Sequence, residues 1–509
     1  MATYILDKWL SFLFFGIKIQ NSAYRYNTTD EKTLRKQCFF FFDILQDMFE
    51  NKSPWLTQLN KTRPLHMKDT IDDVDVAIVG GGIAGVVTAY MLLKYTDKKI
   101  ALLEQDEIAH GATGHNAGQV VGYFERPLFD IAKEYGKEHA VKAQQSLERG
   151  WVILDEIFAD ASLQTPISSF VKSVGLTHKD QILRLLKDND IKASAGLPVW
   201  PVLISDEVEL EPLFDEYVGL WKRTSKENIL SLLESKDEQY VALGQEKAGC
   251  MNSALFTEEI AGYLLREYPE RFVISEKTPV LEVELYLENA VLKIPQGDVT
   301  AGNVVLCTNG FENITLTNKE GADIDLKFHH RVRGYVGYMA GYTDEKGKPP
   351  TALTYVSDPE SKMESKDSYF YLTRRPYESR DDRAINLISV GGPGSWLEDV
   401  SEYSKKDVYP EDAQKSIDEF TRKTYIDSPE TISYEFKWHG LMGFTHNYLR
   451  IVGREPCNPV LLYNLGCNGV GILPSLFGGE RIAHILRGDE LEVTVFDPKD
   501  QRCENPKVE

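Results

Sequence analysis

Between Val74 and Glu104 the chain reads VDVAIVGGGIAGVVTAYMLLKYTDKKIALLE, and the spacing of its glycines constrains the fold more tightly than any other stretch. The largely apolar, β-branched run at residues 74–79 has the length of a buried parallel strand. Gly80, Gly82 and Gly85 follow at G-x-G-x-x-G spacing. The first glycine lets the chain turn out of the strand, the second lets backbone approach a pyrophosphate, and the third lets the next helix pack closely on the sheet. A diphosphate then sits at the helix N-terminus, where unpaired N–H groups and the helix dipole favour negative charge. Ile83, Val86, Val87 and Tyr90 mark one face of that helix. A second strand at residues 100–103 ends in Glu104, about 20 residues past the last glycine, where a carboxylate accepts hydrogen bonds from ribose hydroxyls. The glycine pattern alone recurs by chance. Strand, helix and acid together predict a dinucleotide site, with NAD and FAD both open.

At 509 residues the chain predicts more than one domain. Its formal net charge of −21 disfavours a nucleic-acid partner. The six cysteines are scattered, and their spacing suggests neither a metal site nor a disulfide framework, which fits a reducing cytoplasm. Near the N-terminus the run WLSFLFFGI, beginning at Trp9, spans about 13 Å as a helix, too short for a hydrocarbon layer of about 30 Å. Asp7 beside Lys8 and the lack of a small-residue cleavage site argue against a secretory signal. This run and the aromatic run at residues 39–42 read as helices docked on the body. Peripheral membrane or partner contact through residues 1–50 is the other reading.

After Glu104 comes the polar, glycine-rich loop HGATGHNAGQ, from His110 to Gln119. Helices are predicted at residues 148–158 and 179–188, with an acidic, loop-like segment between Gly196 and Pro212. Thr257 is the expected cap of another helix, with Glu258 and Glu259 in its first turn. Strands follow at residues 272–275, 280–285, 291–294 and 304–306, the last running into Cys307, Thr308, Asn309 and Gly310 at the carboxyl edge of a parallel sheet, where such folds bind ligands. Alternating runs at residues 332–339, 369–373 and 385–390, separated by polar loops such as 378–383, predict an antiparallel second domain. Residues 461–488 return to strand, glycine loop and helix. The expected architecture is α/β: a Rossmann-like dinucleotide domain with a second, mainly antiparallel α+β substrate domain. Its expected boundaries are an N-terminal helical extension at 1–70, the dinucleotide domain at 71–160, 235–315 and 431–495, the cap at 161–234 and 316–430, and a frayed tail at 496–509.

Four separated pieces, GGGIAG with Glu104, then GATGHNAGQ, VVLCTNG and LGCNGVGILPS, resemble in the same order the D-amino-acid oxidase superfamily of FAD-dependent oxidoreductases. The glycine, sarcosine and γ-glutamylputrescine oxidase branch is the most similar. The resemblance implies FAD. It places the diphosphate at Gly80, Gly82, Ile83, Ala84 and Gly85, the adenosine ribose at Glu104 with Gln105 beside it, and the adenine near Val280. Gly111, Ala112, Thr113, His115, Asn116, Ala117 and Gly118 would lie along the flavin ring and ribityl chain, with Thr308, Asn309, Gly310 and Gly440 nearby. Gly469, Val470 and Gly471 would aim a helix N-terminus at the flavin N1 and C2 carbonyl, where charge accumulates on reduction. His115 departs from the γ-glutamylputrescine type, which carries arginine there. Dimethylglycine and sarcosine dehydrogenases resemble this chain in having a histidine, bonded covalently to the flavin. A covalent link, a hydrogen-bonding role and a structural role are all open for His115.

The implied reaction oxidises the C–N bond of an amine or amino acid by hydride transfer to flavin N5. On the substrate side, Arg333 and Arg374 or Arg375 are candidates to pair with a substrate carboxylate, against the alternative of solvated strand-end charges. His439 is a candidate to orient or deprotonate the amine, or a satisfied structural histidine. Tyr335, Tyr369 and Tyr371 are pocket wall or core. The electron acceptor is oxygen or, for a dehydrogenase, a quinone or protein. A catalytically silent flavin-binding partner protein is the reading from another class.

Overall fold

The strand that opens the glycine stretch, Val74–Val79, lies in the middle of a parallel sheet. The computed structural model describes residues 51–59, 73–311, 314–324, 332–356, 369–380, 383–499 and Cys503. Its parallel core runs in the spatial order Phe272–Ser275, Ile100–Leu103, Val74–Val79, Gly297–Leu306, Asn458–Leu465. Val79 pairs with Leu103 on one side and Leu306 on the other, so three strand ends meet at the glycine turn. Four more strands extend this sheet. Glu282–Leu285, Ala290–Ile294 and Ile451–Glu455 join it antiparallel, and Thr315–Asn318 adds parallel to the first of these.

The helix Ile83–Tyr95 is buried at every residue from Ile83 to Leu93, not along the single face that its spacing predicts. The reason is the helix Ile472–Arg487, which crosses so closely that a Cβ at Gly479 would lie 3.1 Å from the Thr88 backbone nitrogen. A helix covered by a sheet and by a second helix has no solvent face left.

The second sheet has ten strands and is largely antiparallel. It runs from Phe436–Phe444 through Arg333–Asp344, Arg383–Trp396, Tyr369–Arg380, Thr351–Val356, Ile167–Leu176 and Ala242–Met251 to Val202–Ser205 and Trp221–Thr224, with Gln119–Val121 added alongside Ala242–Met251. The expected α/β class therefore holds. Several elements differ in extent. The two predicted helices run longer, as Lys137–Ala161 and Lys179–Ser194, and Val202–Ser205 is a strand inside the acidic segment. The polar loop predicted at 378–383 is mostly hairpin, with Arg380 paired to Arg383. Thr257 lies within the helix Ser253–Glu267, its hydroxyl donating to the Ser253 carbonyl at 2.8 Å. Asn252 is the cap. Its side-chain oxygen accepts the Ala254 and Leu255 amides, each at 3.0 Å, and Asn is the stronger N-cap type.

Part of the predicted N-terminal extension is integral to the body. In residues 51–59, the Ser53 hydroxyl donates to the Gly114 carbonyl at 2.5 Å, and the Trp55 indole N–H donates to the Asn116 carbonyl at 2.6 Å. Trp438 donates to the same carbonyl at 3.2 Å and meets Trp55 edge-on, with ring centroids 6.1 Å apart. Asn51 exchanges hydrogen bonds with the His439 backbone at 2.9 and 3.1 Å. These nine residues thus bind the 110–119 loop to the second sheet. The aromatic runs at 9–17 and 39–42, and the membrane or partner contact considered for residues 1–50, lie outside the described residues. Among the described residues no helix is long and apolar enough to cross a membrane.

Cys457 and Cys503 form a disulfide, which corrects the expectation of unpaired cysteines. The two are 46 residues apart, so only the fold brings them together. The cysteine argument for a reducing compartment falls with it. The tail is also less free than expected, since Phe496 is buried and Cys503 is tethered.

Trp55 is completely buried. Trp55→Ala is expected to lower unfolding free energy by about 3–5 kcal/mol through the cavity it leaves. Trp55→Phe, which keeps most of the packing but removes the indole donor, is expected to cost about 1 kcal/mol. Urea unfolding of both variants checks this, and equal, negligible losses would remove the segment from the body's core.

Candidate functional site

A cavity of about 680 Å³ opens at the carboxyl ends of the parallel strands and reaches the second sheet. One end is the glycine turn. Gly80 has φ +107°, and a Cβ there would lie 2.7 Å from the Cys307 carbonyl oxygen, so only glycine fits. Gly85 does not line the cavity; its Cα faces the Gly80 carbonyl too closely for any side chain, which sets the helix against the turn. Gly82, Ile83 and Ala84 do line it. The Ile83 amide, among those a helix leaves without internal acceptors, donates to Thr113 Oγ1 at 3.0 Å and so joins the first glycine loop to the second.

Glu104, Gln105 and Val280 line the same end. Glu104 accepts the Gly81 amide at 2.6 Å on Oε2 and the Asp106 amide at 2.8 Å on Oε1. Burial pushes its carboxyl above the usual range, while these two amides pull the other way. A carboxylate has lone pairs for further donors beyond these two. Lys405 lines the cavity nearby with its ammonium 3.1 Å from Asp106.

Gly111, Ala112, Thr113, His115, Asn116, Ala117 and Gly118 all line the middle. His115 Nδ1 lies 2.9 Å from the Gly111 carbonyl, which can only accept, so Nδ1 carries the hydrogen and Nε2 the lone pair. Burial pushes the imidazole down to about 4, leaving it neutral at pH 7. The His115 backbone rests on Gly440 with no space for a Cβ between them. Thr308, Asn309, Gly440, Gly469, Val470 and Gly471 complete the lining expected from the sequence, and Gly471 is the N-cap of Ile472–Arg487. Gly310, at φ +90°, stands outside the cavity against Val332.

None of the three catalytic candidates lines the cavity. Arg374 is 1% exposed and pairs bidentately with Glu234, both bonds at 2.8 Å, while donating to Tyr425 Oη at 3.0 Å and the Pro349 carbonyl at 2.8 Å. Strand alternation explains this. Tyr369 and Tyr371 point into the cavity, so an even-numbered neighbour on that strand points to the opposite face. Arg375 stacks 4.4 Å over the Trp55 ring and donates to Gln58 at 2.7 Å, and Arg333 stacks 4.5 Å over Trp396. His439 is one layer behind the wall. Its Nε2 donates to the Asp407 carbonyl at 3.0 Å, and its Nδ1 meets the hydroxyl of Tyr403, a lining residue, at 3.2 Å. Burial lowers its pKa, so the structural reading is the one its surroundings fit. Tyr335, by contrast, lines the cavity.

Arg450 and Glu125 are among the lining residues that escaped the sequence reading. Arg450 is buried, donates to Asn464 at 2.7 and 3.0 Å, and has no carboxylate within ion-pair distance among the described residues; burial lowers it to about 10. Nothing in the surrounding sequence marks it. Glu125 did leave a signal. Gln119, Val121, Tyr123 and Glu125 all line the cavity, a period-two pattern that continues the Gln119–Val121 strand past its last ladder bond.

Comparison with known proteins identifies the family. The family model for FAD dependent oxidoreductases (DAO) matches residues 75–485. The gamma-glutamylputrescine oxidoreductase of Escherichia coli (strain K12) is 23% identical over 445 residues, covering 87% of this chain and 91% of that protein. Among solved structures, L-proline dehydrogenase from P. horikoshii is similar with a TM-score of 0.60 at 14% identity, covering 83% of this chain and 95% of the other. Glycine oxidase from Bacillus cereus is similar with a TM-score of 0.56 at 18% identity, covering 82% and 95%. These two likenesses speak for the fold alone. The family match spans the glycine turn, the cavity loops and the final helix, and the chain belongs to the FAD dependent oxidoreductase (DAO) family.

Proposed function

We propose that this protein uses bound FAD to oxidise the C–N bond of a small amine or amino acid. The observation that carries the reading is one continuous cavity that joins the Gly80 turn and Glu104 to a wall of Tyr335, Tyr369 and Tyr371. Its volume of about 680 Å³ is in the range of cofactor and ligand sites, about 300–1,000 Å³.

The residues present suit the cofactor. Gly80, Gly82 and Gly440 line the cavity without side chains, and the buried Arg450 guanidinium is a positive charge that an anionic group would satisfy. Gly80, Gly82, Ile83 and Ala84 would hold the diphosphate, Glu104 the ribose, and Gly469, Val470 and Gly471 would present a helix N-terminus to the ring. When bound, the flavin supplies the hydride acceptor. The chain's own part is to orient the amine against it, exclude water and manage the proton on nitrogen. The name of the Escherichia coli relative fits an amine substrate.

Protein purified under mild conditions is expected to be yellow, and its flavin to bleach without oxygen when an amine or amino acid from a broad panel is added. Folded, flavin-loaded protein that no member of the panel reduces would overturn the proposed reaction. Oxygen uptake with the same substrate then separates an oxidase from a dehydrogenase that needs another acceptor.

His115 Nε2, unprotonated and free of the Gly111 bond, is the nitrogen suited to a covalent flavin link. With such a link, acid-precipitated protein keeps its colour in the pellet and His115→Ala releases it. Colour wholly in the supernatant rules the link out.

A further inference from the structure

Glu125 is a carboxyl in the cavity wall with no cation close enough to form an ion pair among the described residues. The Tyr369 hydroxyl donates to its Oε1 at 3.2 Å, and Tyr123 donates a second bond. Beneath it is the 469–471 loop, where a Cβ at Gly469 would lie 2.9 Å from the same Oε1. Lys172, buried behind, is engaged elsewhere, with its ammonium 3.4 Å from Glu246 and 4.6 Å from the Tyr123 ring centroid. Tyr369 and Tyr371, ring centroids 5.9 Å apart, continue the wall. The arginines of the second sheet that a carboxylate ligand would need, Arg333, Arg374 and Arg375, all point to other partners. A carboxylate flanked by tyrosine rings is a receptor for a cation, since the ring faces and the anion attract the same charge.

We propose that Glu125 receives the nitrogen of the substrate: an ammonium docks on its carboxylate beside Tyr123, Tyr369 and Tyr371, gives it one proton, and is held there as the neutral amine. In this step one N–H bond breaks, its electron pair stays on nitrogen, and one O–H bond forms on Glu125. No oxidant takes part. A substrate with a carboxylate beside that nitrogen would be repelled by Glu125, so the site selects amines without a carboxylate at that position. The proposal rests on the reading of the cavity as an amine-oxidation site and adds the residue that recognises the amine.

The titration of Glu125 fits this work. Burial pushes it up to about 7; Lys172 and the two tyrosine hydroxyls oppose the rise, and Glu246 adds to it. The same burial lowers the pKa of a docked amine, which narrows the gap the proton must cross.

The test uses flavin-loaded protein titrated with propylamine and benzylamine against propionate and benzoate, read by the visible spectrum and by melting temperature between pH 6 and 9. The wild type is expected to bind the amines in preference to the acids, with amine affinity rising as pH passes 7 and Glu125 ionises. Glu125→Gln is expected to stay yellow, lose about tenfold or more of that affinity and flatten the rise. Tyr369→Phe, which removes a donor to the charged form, is expected to move the midpoint of the rise to higher pH. A wild type that binds the acids as well as the amines overturns the proposal, as does Glu125→Gln with unchanged amine affinity and pH profile. Should Glu125→Gln not fold, an unmoved midpoint in Tyr369→Phe does the same. Protein that carries no flavin refutes the cofactor reading instead, and melting shifts with the amines still decide the role of Glu125.

Discussion

The close approach of bare backbone at Gly80 and Gly85 is the constraint on which the rest of the molecule depends. Gly80 turns the chain at φ +107° while resting on the Cys307 carbonyl, and Gly85 lets the following helix settle on the Gly80 carbonyl. A side chain at either position would push apart three strands that meet there, Val74–Val79, Ile100–Leu103 and Gly297–Leu306. With the turn closed, helix Ile83–Tyr95 lies deep enough to be covered by Ile472–Arg487 as well, and that second helix carries the 469–471 loop to the cavity. The phosphate end and the tyrosine-lined end of the site are thus positioned by one packing event.

The cavity is held open at an energetic cost. Among the described residues a buried guanidinium at Arg450 has no acidic partner and a half-buried carboxyl at Glu125 no basic one, and each carries a desolvation penalty that a packed core would avoid. Elsewhere in the same body the chain does pair such groups. Arg374 and Glu234 neutralise each other in the second sheet, and Lys172 and Glu246 lie 3.4 Å apart. The contrast sorts charges that hold the fold together from charges that face a ligand, and it is the physical basis for assigning Arg450 and Glu125 to the site.

Much of this could be read from the sequence because it is local. Glycine spacing, the β-branched strand, the acid after the second strand and the loop at 111–118 each depend on neighbours within about thirty residues, and Val79, Gly80, Gly82, Glu104 and all of the loop but Gly114 line the cavity. What could not be read depends on distant partners. Arg374 becomes structural only because Glu234, 140 residues earlier in the chain, folds against it. His439 is held by Tyr403 and Asp407, Cys457 by Cys503, and the loop at 111–118 by Trp55 and Trp438, none of which is a sequence neighbour. The helix Ile83–Tyr95 was recognisable as a helix, but its second buried face was not, since the element that covers it lies almost four hundred residues on.

Strand parity then decides which chemistry reaches the ligand. On Tyr369–Arg380 the odd positions 369 and 371 face the cavity and the even position 374 faces Glu234, so a one-residue slip would replace the two tyrosines with their apolar neighbours Phe370 and Leu372. Along Gln119–Val121 and its continuation the same rule turns Tyr123 and Glu125 inward. Two strands far apart in the chain therefore present aromatic rings and a carboxyl to one chamber, while Arg374 faces Glu234 and Arg375, further along the tyrosine face, is held by Trp55 and Gln58. The groups that these two strands offer to a substrate follow from their register, and they shape the kind of molecule the chamber can hold.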